Sequence, residues 1–153
     1  LDRFALKIRM GYPSAEEEID IIKARRGVNP LDRVDEIIGI EEIRQIRRHI
    51  SDIRIDDELY GYIVALVTST RKHPQLALGA SSRASVALMH LSQAYAFIRG
   101  REYVLPDDIG ALFRPAIGHR LMLRQEAKLS NQSADTILGE ILRTTDVPYK
   151  GKR

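Results

Sequence analysis

Ser81-Ser82-Arg83-Ala84-Ser85-Val86-Ala87-Leu88-Met89-His90-Leu91-Ser92-Gln93-Ala94-Tyr95-Ala96-Phe97-Ile98-Arg99-Gly100 (residues 81–100) holds no proline, and its one glycine stands at the end. The spacing predicts a helix over about 82–99 that Gly100 stops. Val86, Ala87, Met89, Leu91, Ala94, Phe97 and Ile98 cover most of its circumference, so this helix is expected at the centre of the molecule with His90 as a hydrogen-bonded core residue. A long buried helix of this kind makes the chain a helical bundle.

Upstream, Asp56-Asp57-Glu58 opens a helix over about 57–72 with Leu59, Tyr62, Ile63, Leu66 and Val67 on one side, and Pro74 ends it. Before it, Ile43, Ile46, His49 and Ile50 recur at helical spacing between about 40 and 51. Further back, Ser14 and Glu17 form a capping box that starts a helix running to about Arg26, where Gly27 stops it. Val28-Asn29-Pro30 then reads as a connector and a domain boundary. Phe4, Leu6, Ile8 and Met10 alternate with Ala5, Lys7 and Arg9, the period of a half-buried strand closed by Gly11 and Pro13. No comparably strong partner strand lies downstream, so the rest of its sheet is expected outside this chain.

Downstream, Tyr103-Val104-Leu105 is a short extended segment that can pair with Ile53-Arg54-Ile55. Pro106-Asp107-Asp108 opens a helix carrying Ile109, Leu112 and Phe113, which Pro115 and Gly118 close. Leu121 to Leu123 read as extended, and Ser133 starts a last helix with Ile137, Leu138, Ile141 and Leu142 before a frayed basic tail past Pro148.

Composition sets outer limits. The chain's 153 residues, 44% of them hydrophobic, are enough for one packed domain, which excludes wholesale disorder. A net charge of +3 carries no nucleic-acid argument unless the cations cluster, and Glu41, Glu42 and Asp52 interrupt Arg44, Arg47, Arg48, Arg71 and Lys72. The absence of cysteine excludes disulfides and thiol catalysis and permits a reducing compartment. No apolar run approaches the roughly 20 residues of a membrane span, and no signal peptide is expected. The chain opens on Leu1 rather than Met, so it is expected to be part of something longer.

Gly79-Ala80-Ser81-Ser82-Arg83 is the most informative stretch for chemistry, because small residues lead into a helix whose first turn holds a cation. The helix dipole disfavours a positive charge there by a few tenths to about 1 kcal/mol. Either Arg83 reaches solvent or a carboxylate, or an anion meets both the guanidinium and the free N–H groups. Arg3 precedes the expected strand, where it can reach a neighbouring subunit or make an ordinary surface pair with Asp2. His49, His73, His90 and His119 show no paired spacing, so no metal site is expected. Tyr60, Tyr62, Tyr95, Phe97 and Tyr103 read as packing rather than as a stacking platform. Ser81 and Ser82 have no nearby histidine to activate them.

Together, Leu1-Asp2-Arg3-Phe4 leading to Gly11-Tyr12-Pro13-Ser14, Asn29-Pro30-Leu31, Asp56-Asp57, Gly79 to Ala84, and Pro106-Asp107-Asp108 resemble the C-terminal part of a MoxR-type AAA+ ATPase, in order and spacing over essentially the whole chain. The resemblance implies an all-α lid-domain bundle (residues 28–153) preceded by a strand and helix left over from the α/β ATPase core (residues 1–27). It identifies Gly79, Ala80, Ser81, Ser82 and Arg83 as similar to the sensor-two motif, with Arg83 contacting the nucleotide γ-phosphate. It likewise makes Arg3 similar to the arginine finger that such ATPases present to the next subunit. The family has Pro where this chain has Ser82, and a serine cap is expected to stand in for it. ATP between core and lid, Mg²⁺ held by residues outside this chain, a homo-hexamer, a cytoplasmic location and chaperone-like work on client proteins are further implications. The sequence has no Gly-x-x-x-x-Gly-Lys-Ser/Thr loop, so this chain alone is not expected to hydrolyse ATP. Two other readings remain open: a stand-alone helical interaction module, and a DNA-binding domain with a helix-turn-helix over Asp107 to Leu123.

Overall fold

A computed structural model describes residues 3–26 and 29–148. Its helices are α1 (Ala15–Ala24), α2 (Ile40–Asp52), α3 (Asp57–Lys72), α4 (Ser82–Ile98), α5 (Pro106–Ile117), α6 (Gln125–Leu129) and α7 (Ala134–Thr144). Strands β1 (Leu76–Leu78) and β2 (Met122–Leu123) form a small antiparallel pair, with Leu76 opposite Leu123. The chain is thus the expected helical bundle with a minor two-stranded pairing. It forms two compact units, Leu1–Lys7 with Arg48–Arg153, and Ile8–Arg47. The boundary expected at residues 27 and 28, the helix stop at Gly27 and the tail from residue 149 lie outside the described residues.

In the smaller unit, α1 starts where the capping box requires. The Ser14 N–H donates to the Glu17 carboxylate at 2.7 Å, and the Glu17 N–H donates to Ser14 Oγ at 3.3 Å. None of its residues is buried. A short 3₁₀ turn follows at Pro30–Arg33, with Asn29 Oδ1 accepting from the Leu31 N–H. The strand expected over residues 4–10 is not formed. A strand exists by its ladder of hydrogen bonds, and among the described residues no strand pairs with this segment. Phe4, Ile8 and Met10 are exposed instead of alternating with a buried face.

The larger unit holds the core. α3 buries Leu59, Tyr62, Ile63, Leu66, Val67 and Thr70 along one stripe, the side its spacing predicts. Complete burial of a Leu, Ile or Val stabilises by about 1.5–3 kcal/mol. α4 packs chiefly on α5 and α3, and α7 packs on α3 and α5. The expectation that α4 is central and buried over most of its circumference is corrected. Its buried stripe is Ala84, Leu88, Ser92, Gln93 and Ala96, whereas Val86, His90 and Ile98 are exposed. Small residues at 84, 92 and 96 let the neighbouring helices come close on one side, and the apolar surplus on the other side stays at the surface. α5 contributes Ile109, Phe113, Ala116 and Ile117. Of Pro115 and Gly118, which together were expected to close it, the helix continues through Pro115 and ends at Gly118, because a proline in the last turn forfeits only one hydrogen bond.

Loops close the bundle. The pairing expected between residues 53–55 and 103–105 is reduced to one parallel bridge, Arg54 with Tyr103, with Arg54 N donating to Glu102 O and Val104 N to Arg54 O. Extended structure at 122–123 appears as expected, but its partner Leu76–Leu78 carried no clear strand signal. After α5 the chain turns through a 3₁₀ segment, Gly118–Arg120, into β2. Residues 107–123 therefore hold no second α-helix, and the helix-turn-helix reading fails.

Candidate functional site

The Gly79–Arg83 stretch connects β1 to α4 and is locked onto the last turn of α3. A Cβ on Gly79 would stand 2.6 Å from the Arg71 Cα and N and 2.7 Å from the Thr70 carbonyl carbon, so only glycine fits against that backbone. Ala80, next in line, is buried. Its N–H donates to Thr70 Oγ1 at 2.9 Å, and its carbonyl accepts from Arg71 Nε at 2.8 Å. Thr70 Oγ1 in turn donates to Val67 O at 2.6 Å, which fixes the hydroxyl as acceptor for Ala80. Both polar groups of a buried backbone unit are thereby satisfied by two consecutive side chains of α3.

This anchoring sets where α4 begins. Ser81 is its N-cap by backbone geometry, with φ −78° and ψ 170°, and its carbonyl accepts from Ala84 N at 3.0 Å. The expectation that Ser82 caps the helix is corrected: Ser82 is the first helical residue, the position that suits proline, and no serine side chain caps this end. The serine there forgoes the fixed φ of a proline, and the cap geometry of Ser81 is unaffected. Arg83 follows in the same first turn, which contains no Asp or Glu, and its side chain is exposed. Ser81, Ser82, Arg83 and Val86 line an open depression of about 530 Å³. A guanidinium fork beside first-turn N–H groups that no helical carbonyl can reach suits phosphate oxygens.

Arg3 belongs to a different place. It is exposed in a turn whose following carbonyls are held at the C-terminal end of α5. Phe4 O accepts from Arg120 Nη2 at 2.6 Å and Ala5 O from Arg120 Nη1 at 3.2 Å, while Lys7 N donates to Pro115 O at 2.9 Å. Gly79 to Arg83 thus form one structural unit, and Arg3 is not part of it. Sequence reasoning passed over Thr70 and Arg120 entirely and weighed His119 only as a metal ligand. No local spacing marks them, since their partners are brought to them by folding.

Other candidates resolve as packing or surface. Tyr62 is buried in the core, and Tyr60 and Tyr103 are partly exposed at its margin. Arg44 pairs with Glu41 at 3.3 Å, and Arg71 is committed to Ala80, so these two basic residues serve separate local roles. Among the described residues no helix is long and apolar enough to cross a membrane.

Comparison with known proteins agrees with this architecture. The AAA lid domain family matches residues 68–141, a span that contains the whole Gly79–Arg83 stretch. The chain is 42% identical over 150 residues to the uncharacterized protein YeaC of Bacillus subtilis, covering 98% of this chain and 47% of that protein. It is 33% identical to the chaperone MoxR1 of Mycobacterium tuberculosis, over 96% of this chain and 41% of that one. A crystal structure of a protein assigned as an ATPase from Cytophaga hutchinsonii superposes with a TM-score of 0.85 at 30% identity, over 95% of this chain and 47% of that one. The chain spans about half the length of the relatives it matches.

Proposed function

This chain belongs to the MoxR-type AAA+ ATPases as the portion that bears their lid domain, and on that premise we propose that it forms the lid side of an ATP site in which Arg83 meets the terminal phosphate. The observation that carries the reading is the first turn of α4. That turn holds Arg83 and no Asp or Glu, and the loop before it is immobilised on α3 by Gly79 and Ala80. A dipole-disfavoured arginine on so rigid a mount is explained by an anionic ligand that rewards both the charge and the N–H groups.

When bound, ATP with Mg²⁺ supplies the phosphoryl group and its leaving group. Arg83 donates hydrogen bonds and positive charge to the terminal phosphate. The first-turn N–H groups of Ser82 and Arg83 add partial positive charge at the same end, and Gly79 and Ala80 hold this end in place. A ligand with the terminal phosphate and one without it then make different contacts with the lid, and a difference in contacts is what biases a two-state lid orientation. Residues 1–27 are read as the end of the α/β core, 28–153 as the lid, and Arg3 as the finger offered to the next subunit's ATP. The phosphate loop and the Mg²⁺ ligands are contributed by residues outside this sequence. The whole protein is proposed to be a cytoplasmic homo-hexamer that couples ATP hydrolysis to chaperone-like remodelling of client proteins, the chaperone name of one relative supporting that role.

The test uses the assembled full-length protein. Arg83→Ala should weaken ATP binding more than ADP binding and lower turnover at least about tenfold, with the circular dichroism of the lid unchanged. Arg3→Ala should lower turnover by about 10³-fold or more, the low end of what an arginine supplied to a phosphoryl transfer contributes. Wild-type turnover in either folded variant rejects that residue's role.

A further inference from the structure

Arg120 is a nearly buried arginine, 9% exposed, in the 3₁₀ turn after α5. Its guanidinium forks across three carbonyl oxygens: Phe4 O at 2.6 Å, Ala5 O at 3.2 Å, and Ala116 O at the end of α5. His119 Nε2 lies 3.1 Å from the same Phe4 oxygen. A carbonyl can only accept, so Nε2 donates to it. The ring's Nδ1 is buried and has no hydrogen-bond partner among the described residues. Two adjacent side chains therefore converge on one carbonyl, with a guanidinium withdrawn from water and an imidazole nitrogen left unsatisfied. Both arrangements cost stability.

The segment they hold contributes little to the core in return. Phe4 is 66% exposed, Arg3 and Ala5 are exposed, and only Leu6 is half-buried. Burial of apolar surface does not account for so elaborate a clamp on residues 4 and 5. Its effect is positional. It fixes the backbone directly after Arg3 against the rigid end of α5, and the Lys7 to Pro115 hydrogen bond adds a third tie.

We infer that Arg120, with His119, is a positioning residue for Arg3, holding the turn from which the arginine finger projects. The inference rests on the finger reading of Arg3 given above. A guanidinium displaced by about 1 Å from a phosphoryl group can forfeit on the order of 10²-fold in rate, so the backbone that carries a finger has to be held in place.

In the assembled full-length protein, Arg120→Gln should lower kcat for ATP hydrolysis about 10- to 100-fold with KM for ATP changed less than about twofold. Hydrogen exchange at the Lys7 amide should accelerate, and Arg120→Lys, which keeps the charge but not the fork, should recover part of kcat. In an Arg3→Ala background, Arg120→Gln should cost nothing further. His119→Ala removes one donor from Phe4 O, leaves the guanidinium in place, and should give a smaller kcat loss of the same kind. It decides the matter should Arg120→Gln not fold, wild-type kcat in His119→Ala then overturning the inference. Undiminished kcat in folded Arg120→Gln alongside an impaired Arg3→Ala overturns the inference and leaves the finger reading standing. Losses that multiply with Arg3→Ala indicate a merely structural role and also overturn it. Wild-type turnover in Arg3→Ala removes the finger reading itself.

Discussion

The three atoms nearest to a Cβ added at Gly79 are backbone atoms of α3, at 2.6–2.7 Å, and backbone cannot swing aside as a flexible side chain can. Gly79→Ala should therefore destabilise the fold by about 1–3 kcal/mol, the range for forcing atoms into a packed interior. It should also weaken ATP binding in the full-length protein, since α4 begins two residues after Ala80. Thr70→Val, nearly the same shape, leaves the buried Ala80 N–H without an acceptor and should cost a similar ~1–3 kcal/mol, whereas Thr70→Ser keeps the hydroxyl and should cost less. Urea denaturation of the three variants checks both effects; a Thr70→Val protein as stable as the parent would remove Thr70 from the clamp. Gly79 and Arg83 were legible in the sequence as members of a motif. The reason for Gly79 was not, because the atoms it accommodates belong to another helix.

Among the elements, α1 was the easiest to read, since both halves of its capping box lie within four residues of each other. The Ser14 backbone N–H, and secondarily the Ser14 hydroxyl hydrogen bond, hold the Glu17 carboxyl below the ordinary glutamate range. A depressed folded-state pKa contributes stability that is fully present above the unfolded value and is lost as pH falls through the folded one. Helix α1 should accordingly loosen on acidification through and below the usual carboxylate range. In Ser14→Ala the Glu17 pKa should move only part of the way back, because the backbone N–H remains; a carboxyl-carbon NMR titration reads both values, and no movement at all would contradict the hydroxyl's part. Residues 4–10 have an equally clear local pattern and form no strand. A helix closes its own hydrogen bonds, while a strand depends on a neighbour that local periodicity does not supply.

At the scale of the whole molecule, the α4–α5 corner is held by an ion pair that sequence spacing left unmarked. Arg101 meets Asp108 through two hydrogen bonds of 2.8 and 2.7 Å, and the same carboxylate accepts the Leu105 N–H at 2.8 Å. Asp108 is buried, so Arg101→Met strands a carboxylate away from water and should cost about 3 kcal/mol, read as a lowered urea midpoint with an unchanged slope. Loss of under about 0.5 kcal/mol, the usual range for a surface substitution, would show the pair to be dispensable. The amino-acid order alone was enough for helices α1 to α5 and α7, for the lid-domain family and for the candidate anion end of α4, though not for the short α6, because caps, prolines, apolar stripes and short motifs act over a few residues. Only folding decided which face of α4 is covered, that residues 4–7 dock on α5 instead of entering a sheet, and that Arg120 and His119 grip a carbonyl 115–116 positions away along the chain. Those outcomes depend on which distant backbone groups arrive beside a side chain, and periodicity within one segment carries no information about such encounters.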